Sequence, residues 1–301
     1  MNRLLVALCC LLASAHGLKV GTAALRKWLG AAAVASTFGT HPSFAATEGS
    51  VVVLGAGGKT GSQIVSILAK QGVKVQPAYA RQTENRYEGV DNVLPPLVAD
   101  VTKADSLPEA LKGAKSVIFA ASASNKGGKA ADVDFLGVKN TAEAAVADKV
   151  PQLVVISSAA VTRPNSLGYK VTNLFGGIMG FKIQGEDALR AAYAGEGAKG
   201  LSYAIIRPGG LVDGPSVGPS KIELNQGDTI AGEINRSDVA ECAAAAAISK
   251  TIPSAVTFEI SELGRTGPLE GGLKSVSGYE QVGPTYDESF KGLKSNFYRV
   301  D

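Results

Sequence analysis

Val51 to Val65 reads VVVLGAGGKTGSQIV. Three valines and a leucine run into Gly55, Gly57, Gly58 and Gly61, and an apolar helical pattern follows. Strand, glycine turn and helix in that order make a loop that can cradle the phosphates of a dinucleotide. The register is GxxGxxG on Gly55, Gly58 and Gly61, because Thr60 stands where GxGxxG would need its last glycine. The glycines serve a tight turn, a close backbone approach to the pyrophosphate, and tight packing of helix on strand. A helix that opens near Lys59 and Thr60 aims its free N–H groups at the phosphates. A glycine turn with a structural role alone is the alternative.

The next strand pattern, KVQPAY, ends in Ala80-Arg81 without an acid. NAD sites usually place a carboxylate there, on the ribose 2′-hydroxyl. Arg81 follows Gly61 by 20 residues, and its planar fork suits a 2′-phosphate. Lys59 in the loop adds a second positive charge. Together they favour NADP (NADPH) over NAD.

Outward from this loop, strand and helix patterns alternate. Apolar strand-like runs occur at Val51–Gly55, Val73–Tyr79, Leu97–Asp100, Ser116–Ala121, Leu153–Ser157 and Tyr203–Arg207. Helical patterns cover Ser62–Lys70, Ser106–Leu111, Val133–Ala147 and Lys182–Ala194. Short runs that are apolar throughout fit strands buried on both faces. The order predicts an α/β fold with a doubly wound parallel sheet. Beyond Arg207, Lys221–Ile230 suggests a hairpin or two short strands. Ser237 suits the cap of a helix over Asp238–Ser249, with Asp238 as a first-turn acid, and Val256–Ile260 suits a last strand. Gly264–Asp301 is rich in glycine, serine and charge, and reads as an extended arm carrying Tyr286, Phe290 and Phe297.

The net charge of +3 comes from the N-terminus. Residues 1–47 hold Arg3, Lys19, Arg26 and Lys27 and no acid; taking those four from 30 leaves 26 basic residues against 27 acidic ones. A near-neutral body argues against nucleic acid as a partner. Both histidines, His16 and His41, precede residue 48, which excludes a Ser–His–Asp triad and a histidine-ligated zinc from the body. Cys242 is the one cysteine there, so the body has no intrachain disulfide.

MNRLLVALCCLLASAHG has a basic start, a short apolar run and a small-residue cleavage site, the pattern of a signal peptide. The following segment is basic, rich in Ala, Ser and Thr, and free of acid up to Glu48, the composition of a transit peptide. The combination resembles the bipartite presequences of algae with secondary plastids. The apolar stretch Leu29–Phe38 resembles a thylakoid-transfer signal, so stroma, thylakoid surface and lumen are all open. The expected domains are a presequence over 1–47, a nucleotide-binding domain over 48–263 and an arm over 264–301. No transmembrane helix is expected in the mature chain.

Over residues 50–262 the body resembles an atypical short-chain dehydrogenase/reductase of the NmrA-like kind. The matches, in order, are GAGGKTG, VADVTKADSLPEALKGAKSVIFAAS, LVVISSAAV, FKIQGEDALRAA, LSYAIIRPGGLVDGP and RSDVAECAAAAA. The resemblance implies a Rossmann-type sheet in a single domain with a small C-terminal substrate-side elaboration. It also implies that Asp100 and Val101 flank the adenine and that Ala120, Ala121 and Ser122 line the cofactor. Pro208, Gly209 and Gly210 would pass near the nicotinamide.

Conventional relatives pair a tyrosine with a lysine four residues later. The tyrosine moves the proton, and the lysine holds the nicotinamide ribose. Here Lys182 matches the lysine, and Ile178 stands in the tyrosine's place. Tyr169, thirteen residues before Lys182, is out of helical register. Three outcomes are open. The protein reduces a substrate with another acid, such as Tyr169, Ser158 or a water. It passes hydride to a conjugated or quinone-like acceptor. Or it binds NADPH without turnover and reports redox state to a thylakoid or import complex, with NLFGGIMGF (Asn173–Phe181) as a candidate docking patch.

Overall fold

A computed structural model describes residues 45–83, 85–124, 127–174, 176–268 and 281–295. The presequence up to residue 44 lies outside the described residues, as do parts of the expected arm, 269–280 and 296–301 with Phe297.

The first strand, β1 (Val51–Leu54), is buried along its whole length. Its β-branched residues fit a pleated surface covered on both sides. Val51 and Val53 enter one core and Val52 and Leu54 the other, as a period of two requires. Each such side chain contributes about 1.5–3 kcal/mol on burial. β2 (Val75–Tyr79) and β4 (Ser116–Phe119) flank β1 in parallel. β3 (Leu97–Val98) lies outside β2, while β5 (Gln152–Ile156) and β6 (Ser202–Pro208) extend the sheet beyond β4. β10 (Val256–Glu262) runs parallel to β6, and β8 (Ile222–Asn225) closes the edge antiparallel to β10. The strand order is β3-β2-β1-β4-β5-β6-β10-β8. The expected doubly wound, mostly parallel sheet is therefore what the chain forms.

Helix α1 (Lys59–Lys70) buries Ile64, Val65, Leu68 and Ala69 on one face of the sheet and ends where Gly72 takes φ +75°. The alanine-rich α6 (Arg236–Ile248) shares that layer. On the other face lie α2 (Pro108–Leu111), a π-helical turn (Ala131–Gly137) that continues into α3 (Val138–Ala147), and α5 (Ile178–Tyr193). A short helix, α4 (Leu167–Asn173), precedes α5.

The region beyond β6 holds the expected helix and last strand, with differences in how its strands pair and how the helix is capped. Of the two forms expected over Lys221–Ile230 the chain takes the second, two short strands rather than a hairpin: β8 joins the main sheet, whereas β9 (Ile230–Asn235) belongs to a second sheet, between β7 (Gly210–Val212) and β11 (Thr266–Pro268). Ser237 does not cap α6. The helix begins at Arg236 after Asn235, and the Ser237 hydroxyl donates to the Gly214 carbonyl at 2.8 Å. Asp238 is buried and accepts from the Ser216 hydroxyl at 2.7 Å and the Gly218 amide at 3.1 Å, so it ties down the loop after β7.

The described part of the expected arm folds back on the body. Gln281 and Leu224 exchange backbone hydrogen bonds of 2.8 and 2.9 Å, and Gln226 bridges to the backbone of Lys294. Helix α7 (Tyr286–Phe290) buries both its aromatic rings. Phe290 lies 5.9 Å from Phe258 of β10, centroid to centroid, and the Tyr286 hydroxyl donates to the Asp238 carbonyl at 3.1 Å. Composition concealed this because three apolar anchors, Tyr286, Phe290 and Leu293, suffice for docking among many polar residues.

A charged network crosses the other core. Arg207 of β6 is fully buried. It donates to Glu186 of α5 from Nε at 3.1 Å and Nη2 at 2.6 Å, and to Glu259 of β10 from Nη1 at 3.1 Å. Glu186 also accepts from Arg190 at 2.8 Å and from the Ser157 hydroxyl at 2.5 Å. Burial opposes its charge, but these donors prevail and hold its carboxyl down to about 2. Glu259 takes one bond from Arg207 and one from the Asp228 amide, and it faces the Asp228 carboxylate. Burial, with Asp228 behind it, pushes its carboxyl up to about 7. Asp228 accepts from the amides of Ala160 at 2.6 Å and Thr162 at 2.9 Å.

Two outcomes follow from this packing. Phe290→Ala lowers unfolding stability by about 3 kcal/mol, read in urea melts; an independent arm would leave stability unchanged. Glu259 titrates higher folded than unfolded, so the native state holds the extra proton, and stability falls as pH rises from 4.5 to about 7. The melting temperature of Glu259→Gln minus that of the wild type therefore climbs over that interval; a flat difference would contradict the assignment.

Candidate functional site

The glycine loop sits at the C-terminal edge of the parallel strands, where β1 passes into α1. Gly55 takes φ +79°, and a Cβ on it would lie 2.7 Å from the Ala121 amide nitrogen. A Cβ on Gly61 would lie 2.3 Å from the Gly55 carbonyl oxygen. A side chain at Gly55 would push the turn off the segment after β4, and one at Gly61 would part α1 from the end of β1. The Gly58 amide closes the turn on the Gly55 carbonyl at 2.9 Å. The Ser62 amide donates to the Gly58 carbonyl at 3.0 Å, and the amides of Lys59, Thr60 and Gly61 stand in the first turn of α1, ahead of its internal hydrogen bonds. No acid stands in the first turn, which leaves the positive end of the helix uncompensated.

A cleft of about 710 Å³ opens above this loop. Among the residues expected at the site, Gly55, Gly58, Lys59, Thr60, Ala120, Ala121, Ser122, Ser158, Lys182, Pro208 and Gly209 line it. Gly61 stands behind the loop as a packing residue. Gly210 begins β7 and turns away, while Gly209 is held against Gly232, whose carbonyl oxygen lies 2.2 Å from where a Cβ on Gly209 would be. Arg81 is exposed beyond β2, with no ion-pair partner among the described residues. Asp100 and Val101 follow β3 outside the cleft. The Asp100 carboxylate accepts from the Thr102 amide at 3.1 Å and hydroxyl at 2.7 Å, and Val101 is buried against the π-helical turn at Gly137. The cleft also takes in Ser157, Leu211 and Arg236. The SS pair and the RSDVA segment carry two of these in sequence, but nothing in either marks which cleft they face.

Lys182 is anchored. Its ammonium lies 2.8 Å from Asp134 Oδ1, and the same oxygen accepts from the Ser122 hydroxyl at 2.7 Å. Asp134 Oδ2 accepts from the Ala123 amide at 2.9 Å. The Asp134 side chain is 0% exposed and that of Lys182 12%. One buried carboxylate thus joins the wall after β4 to the lysine of α5. It sits in the π-helical turn, a distortion frequent at functional sites. Gly185 lets α5 approach that turn, since a Cβ there would lie 2.3 Å from the Asp134 carbonyl oxygen. An ammonium has three donors, so Lys182 keeps donors for a ligand beside Asp134.

Tyr169 is not brought to the cleft. It belongs to α4, and its hydroxyl lies 3.6 Å from the Cβ position of Gly180 on α5. Ile178 opens α5 and packs with Tyr169 against Ala160, Val161 and Met179. Tyr169, one of the acids left open by the sequence, is not among the residues lining the cleft; its ring packs in this cluster beside α5. Ser158 does line the cleft, with its hydroxyl donating to the Ala159 carbonyl at 3.1 Å. Ser157 points down into the buried charge network.

Across the mouth, Lys59 Nζ lies 2.8 Å from Asp213 Oδ2, and Arg236 Nε lies 2.9 Å from Asp213 Oδ1. Arg236 Nη1 also donates to the Thr60 hydroxyl at 3.3 Å. Hydrogen bonds from the two cations hold the Asp213 carboxyl below the usual range. Among the described residues there is no group of three or more His, Cys, Asp or Glu placed to hold a metal, and no helix long and apolar enough to cross a membrane.

Residues 55–250 match a family described as NAD(P)H-binding. The chain is similar to Protein TIC 62, chloroplastic, of Arabidopsis thaliana, at 32% identity over 188 residues, 54% of this chain and 28% of that protein. The chain thus spans less than a third of that relative's length. It is also similar to an uncharacterized chloroplastic protein of the same plant, At2g34460, at 31% identity over 212 residues, 66% of this chain and 72% of the relative. In fold it resembles ChuY, an anaerobillin reductase from Escherichia coli O157:H7, with a TM-score of 0.55, 19% identity, and coverage of 70% of this chain and 96% of the other. The strand–loop–helix geometry and a match over more than half of the sequence agree, and the chain belongs to the NAD(P)H-binding family.

Proposed function

We propose that this is a plastid NADPH-binding oxidoreductase, an atypical short-chain dehydrogenase/reductase of the NmrA-like kind, that acts on a small acceptor needing no tyrosine acid. One observation carries the reading: the glycine loop, Ser158 and Lys182 line one cleft, and among the described residues no tyrosine does. The open amides of the loop and α1 receive the pyrophosphate. Arg81, exposed beyond β2, takes the 2′-phosphate and makes NADP the preferred cofactor over NAD. Lys182, held by Asp134, donates to the nicotinamide ribose. The cofactor supplies hydride at the inner end of the cleft. The proton comes from the Ser158 hydroxyl or from water, which suits a conjugated or quinone-like acceptor. The presequence and the chloroplastic relatives support a plastid address, in the stroma or against the thylakoid.

A second reading has its own support. Leu167, Val171 and Leu174 form an exposed apolar stripe on and just beyond α4, with exposures of 63%, 51% and 82%. In that reading the protein binds NADPH without turnover and reports its redox state to a thylakoid or import complex.

Steady NADPH oxidation with a panel of quinones and enones is expected; tight binding without turnover on any of them would transfer the assignment to the second reading. Arg81→Ala is expected to weaken NADPH binding about tenfold, equivalent to about 1.4 kcal/mol, and to leave NADH unchanged. An equal loss for both cofactors would remove Arg81 from the 2′-phosphate.

A further inference from the structure

We infer that Lys59 and Arg236 form a two-cation site for the cofactor's pyrophosphate, and that Asp213 occupies it as an internal counter-ion which the phosphates displace. The inference rests on the cofactor-binding reading above and adds to it a residue that limits affinity. Lys59 and Arg236 come from opposite sides of the mouth, one from the glycine loop and one from the start of α6, 177 residues apart in sequence. Both line the cleft, and Asp213 does not. Asp213 offers each of its oxygens to one cation, at 2.8 and 2.9 Å. Two oxygens on one small anionic group, each held by a separate cation, is also how a phosphate is held. The Arg236 contact to the Thr60 hydroxyl places the guanidinium over the first turn of α1, where the amides of Lys59, Thr60 and Gly61 stand.

The carboxylate is well placed to leave. Its side chain is 61% exposed and that of Lys59 71%, so their contact is solvated, whereas Arg236, 15% exposed, stays in place at the mouth when the carboxylate leaves. Exposed ion pairs contribute little and are screened by salt. A pyrophosphate brings more charge than the carboxylate and receives the helix amides as well. Asp213 follows β7 on the segment leading to Gly214, so its release frees that segment from the glycine loop. The site distinguishes phosphate from no phosphate. Lys59, expected from the sequence to add charge for a 2′-phosphate, is paired with Asp213 at the mouth instead, so the site does not distinguish NADPH from NADH, and Arg81, just beyond β2, carries that choice.

The test is titration of the full chain with NADPH and with NADH by tryptophan-independent calorimetry, in wild type, Asp213→Asn and Arg236→Met, each first checked for an unchanged melting temperature. Asp213→Asn is expected to tighten both cofactors by the same factor, roughly three- to ten-fold at low salt, with the gain shrinking at high salt. Arg236→Met is expected to weaken both. Asp213→Ala provides a second variant should the amide of asparagine retain one of the contacts. No gain, a loss, or a gain confined to NADPH would overturn the inference. A wild type that binds neither cofactor would instead overturn the cofactor reading itself, so the two failures are distinct.

Discussion

The Arg207 guanidinium is the charge around which the substrate side of this protein is arranged. It is fully buried in the middle of the sheet, and its compensation comes from three separate elements. Glu186 reaches it from α5 and Glu259 from β10, while Asp228 in the β8–β9 loop is tied to Glu259 by its amide. Removing one partner from such a cluster costs about 3–5 kcal/mol, because a charge is left stranded without water. The network therefore fixes where α5 lies on the sheet. Lys182 stands one helical turn from Glu186, so the same constraint sets the position of the lysine in the cleft.

The network also shapes the far wall. Asp228 takes the Ala160 and Thr162 amides and holds Ala160 at φ +68°. A non-glycine residue in that region costs on the order of 1 kcal/mol or more, and here the carboxylate enforces it. The turn just after Ser158 is thereby fixed. On the other side Asp134 gathers Lys182, Ser122 and the Ala123 amide. Two buried carboxylates, Asp134 and Asp228, thus fix segments of the cleft, while Lys59, Asp213, Arg236 and Thr60 join the mouth through side-chain contacts alone. A rigid floor and a loosely tied mouth suit a cleft that must admit a long, charged ligand.

The chemistry of the site follows from what packing removed. In the proposed short-chain dehydrogenase reading α5 is the helix that would carry a tyrosine to the nicotinamide, but its first residue is Ile178, which packs with Tyr169 in an apolar cluster. What faces the cleft is an anchored ammonium and a serine hydroxyl. Such a set binds and orients more readily than it donates protons, and this is why the proposed acceptor is one that needs little acid assistance.

Much of this architecture was legible in the order of residues. Period-two burial and continuous valines mark β1, GxxGxxG marks the turn, and the alternation of strands and helices marks a parallel sheet, because these patterns are local and set by backbone sterics and solvent exclusion. The residues that converge on the cleft were legible where a strand end delivers them: Gly55, Ala120, Ser158, Pro208. Tertiary structure alone decided the rest. It sent β8 to the main sheet and β9 to another, docked Tyr286 and Phe290 onto the core, and set Asp134 under Lys182 and Asp213 between Lys59 and Arg236. Each of these joins residues far apart in the chain, and no local propensity encodes a contact whose energy exists only once both partners have been brought out of water.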